Sequence, residues 1–227
     1  MKKEIFKFMS IAMIISLVMT SCSKDEEKEE LALSQLSVTM VHGDTVTISA
    51  NQKAKFSSSD PFVATVSENG KITAKHVGQT VVTATADGQT KECSVTVKPV
   101  SNLYKEPILD FNLTKNDVKA KETRPLEDES DTELMYTDKK TYLMHYNFDP
   151  ETSKLKSVTY GMPNISYAQS SVLTDFLTER YQPIDYTDKE FYFINSDDPN
   201  KASMVISMTL SVNNLQISAV VVYMQKQ

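Results

Sequence analysis

Asn69-Gly70-Lys71-Ile72-Thr73-Ala74, then Val81-Val82-Thr83-Ala84-Thr85-Ala86, then Asp87-Gly88 and Glu92-Cys93-Ser94-Val95-Thr96-Val97, decide the fold of the chain's first half. The runs are short and rich in β-branched residues, and turn residues separate them. That grammar predicts an all-β sandwich. Asn69-Gly70 is a strong hairpin signal, and a type I′ turn there requires positive φ at both residues. Asp87-Gly88 predicts a second reversal. Cys93, Val95 and Val97 share strand parity, so all three should point inward. Toward the N-terminus, Val63-Ala64-Thr65-Val66 and Thr45-Val46-Thr47-Ile48-Ser49-Ala50 read as further strands, the latter with Val46 and Ile48 on one face. Pro99 ends the pattern.

A family resemblance rests on these residues. Ser57-Ser58-Ser59-Asp60-Pro61-Phe62-Val63-Ala64-Thr65-Val66, the Asn69–Ala74 run, Gly78 and Val82-Thr83-Ala84-Thr85 resemble the bacterial Ig-like domain of group 2. His42-Gly43-Asp44-Thr45 matches that family's turn into its second strand. The likeness covers residues 34–97 of a domain placed at 34–98. Phe56 stands where the family has Trp, and the connection around Asn51-Gln52-Lys53 is short. The resemblance implies a sandwich of about seven strands, of a kind found in adhesins and cell-surface proteins. A spacer role is expected ahead of direct binding.

Upstream, Lys2, Lys3 and Lys7 precede an apolar run from Phe8 to Met19, and Thr20-Ser21-Cys22 follows. The run is shorter than the roughly 18 apolar residues a membrane span needs, and it suits a signal peptide at residues 1–21. Ile14 to Cys22 resembles the bacterial lipobox, with Met19 in place of the usual Leu, and implies lipidation of Cys22. Ser23-Lys24-Asp25-Glu26-Glu27-Lys28-Glu29-Glu30 cannot bury itself, so residues 22–33 are expected as a disordered acidic tether. Its Lys-plus-acid start resembles the surface-export signal of Bacteroidetes lipoproteins. With Cys22 lipidated, Cys93 has no partner in the chain, and a small buried hydrophobe is the expected role.

After a linker at Ser101–Pro107, residues 104–227 follow a different grammar. Thr114 and Asp117 form a capping box, with Leu113 and Val118 as its hydrophobic staple. That helix should stop before Pro125. Glu127–Asp131 reads as a solvated acidic loop without the pattern of a calcium loop. Tyr142–Phe148 and Leu155–Tyr160 read as strands. Ser166 and Gln169 cap a second helix, on which Val172, Leu173, Phe176 and Leu177 share a face that Tyr181 extends and Pro183 closes. Glu190–Asn195, Ser203–Val212 and Leu215–Met224 are the last strands, with Asn213-Asn214 as a hairpin turn. Tyr136-Thr137-Asp138-Lys139 recurs as Tyr186-Thr187-Asp188-Lys189, and Asp149-Pro150 as Asp198-Pro199. These strings suggest a tandem repeat. The expected fold is mainly β, an Ig-like β-sandwich followed by an α+β domain with helices packed on an antiparallel sheet. In outline it is similar to the β-lactamase inhibitor proteins, whose exposed sheet face binds a partner.

The chemistry is mostly exclusion. The formal net charge is −6, and losing three lysines with the signal peptide makes the remainder more acidic. That argues against nucleic-acid binding. His42, His76 and His145 are scattered, and the chain has only five glycines and no phosphate loop or nucleophile elbow. Asp197-Asp198 fits a turn before Pro199-Asn200. Tyr142, Tyr146, Tyr160, Tyr192 and Tyr223 are expected in a sheet core ahead of a sugar platform. Asp44-Thr45-Val46 matches a short O-glycosylation pattern. No catalytic residue, cofactor or metal site is expected; the one site residue is Cys22. The expected protein is an outer-membrane lipoprotein, lipid-anchored and displayed at the cell surface, whose Ig-like spacer presents a binding module for glycan or protein. The alternative is a periplasm-facing structural or inhibitory lipoprotein acting on an envelope protein.

Overall fold

The computed structural model describes residues 29–138, 142–213 and 216–226. The signal segment, Cys22 and the charged run through residue 28 lie outside the described residues, as do Asn214 and Leu215 of the last hairpin.

The chain is mainly β. Its first part holds β1 (Ser37–Val41), β2 (Thr45–Thr47), β3 (Lys55–Ser58), β4 (Ala64–Val66), β5 (Lys71–Ala74), β6 (Gly78–Ala86) and β7 (Gln89–Lys98). They form one sheet ordered β1-β7-β6-β3 and another ordered β2-β5-β4. Val38, Ile48, Ile72, Val82, Cys93 and Val95 are buried in a common core. Cys93 therefore points inward as its parity requires, and burial pushes its thiol pKa up.

The two expected turns differ. Asp87 and Gly88 have φ of 48° and 81°, and Ala86 pairs with Gln89. This is the two-residue hairpin with both central residues left-handed. At Asn69-Gly70 only Gly70 has positive φ, 77°, and its N–H donates to Ser67 O at 3.0 Å. The expected type I′ turn is replaced by a longer loop closed by one left-handed glycine. Packing gives the reason. Ile48 N–H donates to Gly70 O at 3.0 Å, and a Cβ on Gly70 would lie 2.1 Å from Ile48 O.

The ordered chain also starts earlier than expected. Leu31 and Leu33, read from sequence as tether, pack on Ala84 and Phe56. Leu33 bridges Ala50, and Leu31 N–H donates to Gln89 Oε1 at 2.8 Å.

The second part holds α1 (Lys115–Lys121), β8 (Leu126–Glu129), β9 (Glu133–Asp138), β10 (Tyr142–Phe148), β11 (Leu155–Ile165), α2 (Tyr167–Thr178), β12 (Gln182–Tyr186), β13 (Glu190–Ile194), β14 (Met204–Asn213) and β15 (Gln216–Gln225). Its eight strands make one antiparallel sheet ordered β12-β13-β14-β15-β11-β10-β9-β8. Where an α+β domain was expected, the dominant structure is this sheet, with helices of only seven and twelve residues among the described residues. Both capping boxes form, at Thr114/Asp117 and Ser166/Gln169. Val118, Leu173, Phe176 and Leu177 reach the sheet's core, whereas Val172 is 39% exposed and leaves the expected face.

Two further readings change. The acidic loop at Glu127–Asp131 is in large part β8, a sheet-edge strand whose residues are all exposed. Charged side chains on such an edge discourage pairing with another chain. Pro183 does not end α2, which stops at Thr178; it lies in β12, the opposite edge strand, where a missing N–H is tolerated.

From Leu31 onward the chain is one compact unit. Its two parts meet at the end of α2. Glu179, 8% exposed, accepts the N–H groups of Val100 and Ser101 on its carboxylate, both at 3.0 Å. Its backbone carbonyl accepts Val77 N–H at 2.7 Å. Arg180 donates to Phe176 O at 2.9 Å and Ser101 O at 3.3 Å, and its guanidinium lies 3.7 Å over the Phe176 ring. Lys75 holds both carboxylate oxygens of Asp197, at 2.8 and 2.7 Å.

Candidate binding face

The residues singled out by sequence scatter. Cys22 lies outside the described residues. His42 is exposed and bonded through Nδ1 to Lys75 O. His76 is buried, stacked on Phe62 with centroids 4.0 Å apart, and its Nδ1 lies 2.8 Å from Phe62 O. Burial lowers its pKa. Among the described residues, no group of three or more His, Cys, Asp or Glu could hold a metal ion. Asp197 serves the junction; Asp198 accepts Asn200 N–H at 2.9 Å within a turn. Asp44 accepts Val41 N–H at 3.0 Å, and Thr45 beside it is exposed on β2.

Four of the five tyrosines lie in the sheet's covered core. Tyr142, Tyr146, Tyr160 and Tyr223 are buried, and each phenol has a partner. Tyr146 donates to Glu122 at 2.5 Å, Tyr160 to Asp138 at 2.9 Å, Tyr142 meets Gln169 Nε2 at 3.2 Å, and Tyr223 meets Tyr104 at 2.5 Å. Burial and these carboxylates hold the Tyr146 and Tyr160 phenols well above their ordinary pKa. These rings are core. Tyr192 lies on the sheet's other face.

That other face is the candidate site. Successive residues of a strand point to opposite sides of the sheet. Leucine, tyrosine and methionine at the buried positions face the helices, so the residues between them face away. Register connects them into rows. One runs Asp128, Met135, His145, Thr159, Val222, Ser207, Tyr192, Asp185 from β8 to β12. A second runs Thr137, Leu143, Gly161, Val220, Thr209, Glu190. A third runs Glu133, Asn147, Ser157, Met224, Val205 and ends at Ile194, which is covered at 2% exposure and closes the open surface there. Leu143, Val220 and Met224 are exposed, at 39%, 39% and 38%. Large hydrophobic side chains open to solvent on a continuous surface mark an interaction site.

The charge on the face is one-sided. Its rows hold four carboxylates, Asp128, Glu133, Asp185 and Glu190, and no lysine or arginine. Two lie at the β8/β9 end and two at the β12/β13 end. Between them the surface is valine, methionine, leucine, serine and threonine, with His145 and Asn147 on β10 and Gly161 on β11. Tyr192 donates to Glu190 Oε2 at 2.6 Å, and that carboxylate raises the phenol's pKa. At the opposite end a cavity of about 120 Å³ is lined by Asp128, Glu129, Ser130, Glu133, Met135 and His145. Lys115 and Lys119 pair with Glu129, at 3.2 and 2.5 Å. Sequence reading found Tyr192 and His145 but not the surface. The polar half of each strand carries its signal, and β8, β9 and β12 were not read as strands at all.

Comparison with known proteins bears on the first part. Residues 28–97 match the family model described as bacterial Ig-like domain (group 2). A search of curated proteins returned no match. A solved structure of the S-layer protein SbsC, domains 5-6, shares 15% identity over 87% of this chain and 84% of its own, with a TM-score of 0.27. So low a score supports no argument about fold or function. The N-terminal sandwich thus matches, in strand pattern and over residues 28–97 of the sequence, the bacterial Ig-like domain of group 2.

Proposed function

We propose that the protein is a non-catalytic cell-surface lipoprotein, in which the Ig-like domain is a spacer and the eight-stranded sheet is a binding module. The observation that carries the reading is the sheet's uncovered face, which is large, partly apolar and joined to the spacer through the buried Glu179 and Arg180. Ig-like domains of this family fit a cell-surface setting. Cys22 is the anchor in this reading, lipidated after removal of residues 1–21, with the outer membrane as its location and residues 22–30 as the tether. Among the described residues no helix is long and apolar enough to cross a membrane. The module itself reads as a tandem duplication of a helix followed by four strands. α1 precedes β8–β11 and α2 precedes β12–β15, and the two meanders meet through their last strands, β11 and β15.

A periplasm-facing lipoprotein that caps an envelope protein is the second reading. It is favoured by the same face, since a surface of eight strands suits a macromolecule. Protease shaving of intact cells carrying a C-terminal tag separates the two. Loss of the tag, with a periplasmic control intact, is expected for surface display. Protection until the outer membrane is opened would move the protein to the periplasmic side. Abolition of anchoring by Cys22→Ala, read as release of the chain to the soluble fraction, is the companion result.

A further inference from the structure

We infer that the uncovered sheet face receives a protein surface with an apolar centre flanked by cationic side chains. The inference deepens the binding role proposed above and rests on it. Three observations define the partner. The first is charge. The rows contain carboxylates at both ends and no lysine or arginine, so a partner with arginine or lysine at matching places gains attraction at each end, and an acidic partner is repelled. The second is spacing. Glu133 on β9 and Glu190 on β13 stand five ladder steps apart, and Asp128 on β8 and Asp185 on β12 stand seven apart. At about 4.8 Å per step, with Glu133 and Glu190 also offset by four residues along the strands, these separations are about 28 and 34 Å. A small molecule cannot touch both ends.

The third observation is the middle of the face. Leu143, Val220, Val222, Met224 and Val205 lie together with short hydroxyl side chains. They offer apolar area with few long polar groups to desolvate. In plan the face is roughly 650 Å², close to the ~800 Å² each partner buries in a standard protein interface. The cavity at Asp128, Glu133 and His145 provides room for one cationic side chain at the β8/β9 end.

The test uses the full chain and three synthetic peptides, with nuclear magnetic resonance shifts as readout. The first peptide is a nine-residue alternation of valine and threonine ending in arginine on both sides, about 30 Å long when extended. The second replaces both arginines by glutamate. The third keeps the arginines but has five residues. Expected are shifts confined to the open face, binding of the long basic peptide at least tenfold tighter than either control, and a loss of about tenfold in each of Glu133→Lys and Glu190→Lys. Equal binding of the acidic and basic long peptides, or shifts elsewhere on the chain, would overturn the inference. A parallel titration with maltohexaose separates the two levels. Shifts on the same face with the neutral sugar, and none with the basic peptide, would keep the binding role and overturn the cationic protein partner.

Discussion

Gly70 and Gly88 both sit in hairpins, both have positive φ, and the structure assigns them different costs. Gly88 has φ of 81° and open space where a Cβ would be, so an alanine there meets only the left-handed backbone penalty, about 1–2 kcal/mol. Gly70 carries the same penalty, and its Cβ would also displace Ile48 O and break the Ile48–Gly70 hydrogen bond. Gly70→Ala should therefore lose roughly 3 kcal/mol or more, and Gly88→Ala about 1–2 kcal/mol. Urea midpoints of the two variants give the comparison. His76 offers a pH test at the same scale. Its folded pKa is lowered by burial, against the pull of the Phe62 carbonyl and Asp197 and with the help of Lys75 and His42. The unfolded chain thus binds the proton more readily. Stability from this residue is full above the unfolded pKa of about 6.5 and falls as pH drops through the folded pKa. His76→Gln should flatten that limb. Urea denaturation of both proteins at pH 7.5 and at pH 5.5 should show a smaller acid loss in the variant; equal losses would remove His76 as the cause.

At the scale of elements, legibility follows how strongly local physics speaks. Both helix starts were readable because a capping box satisfies two orphan N–H groups by side chains a fixed three residues apart. β14 was readable because its alternation is clean, and β15 because an apolar run follows the Asn213-Asn214 turn signal. β8 was not, since Leu126-Glu127-Asp128-Glu129 buries nothing and is a strand only because β9 pairs with it. β12 was hidden by Pro183, which reads as a helix stop and is compatible with an edge strand. The repeated strings show a subtler failure. Tyr136-Thr137-Asp138 ends β9, whereas Tyr186 ends β12. Asp149-Pro150 follows β10, and Asp198-Pro199 follows β13. By sheet order the equivalents of β9 and β10 are β13 and β14, so both strings are out of step by one strand. The symmetry lies in pairing order, and these strings do not encode it. The open face was illegible for the same reason. Only register brings Glu133, Ser157 and Met224 into one row, and register depends on pairings between strands distant in sequence.

Across the whole molecule, the junction decides how the open face is presented. A linker of a few residues would ordinarily leave two domains free to swing. Here Glu179 takes three backbone donors at the joint: Val100 and Ser101, at the start of the linker, on its carboxylate, and Val77 of the sandwich on its carbonyl. Arg180 is buried beside it, and Lys75 clasps Asp197 across the same seam. The exposed Lys75–Asp197 pair contributes little by itself, about 1 kcal/mol or less. The buried carboxylate matters more, because removing it leaves the Val100 and Ser101 N–H groups and part of the Arg180 charge without a partner. Glu179→Ala should cost about 3–5 kcal/mol at the junction. The sandwich core does not contain Glu179, so the expected loss is of the joint first. Backbone relaxation measured by nuclear magnetic resonance should give one rotational correlation time for both parts of the wild-type chain and two in the variant. Lys75→Ala should leave the single value in place. If Glu179→Ala also tumbles as one body, the rest of the interface holds the joint. If it splits, the carboxylate of Glu179 is what turns a sandwich and a sheet into one rigid arm that keeps the open face pointed in a fixed direction.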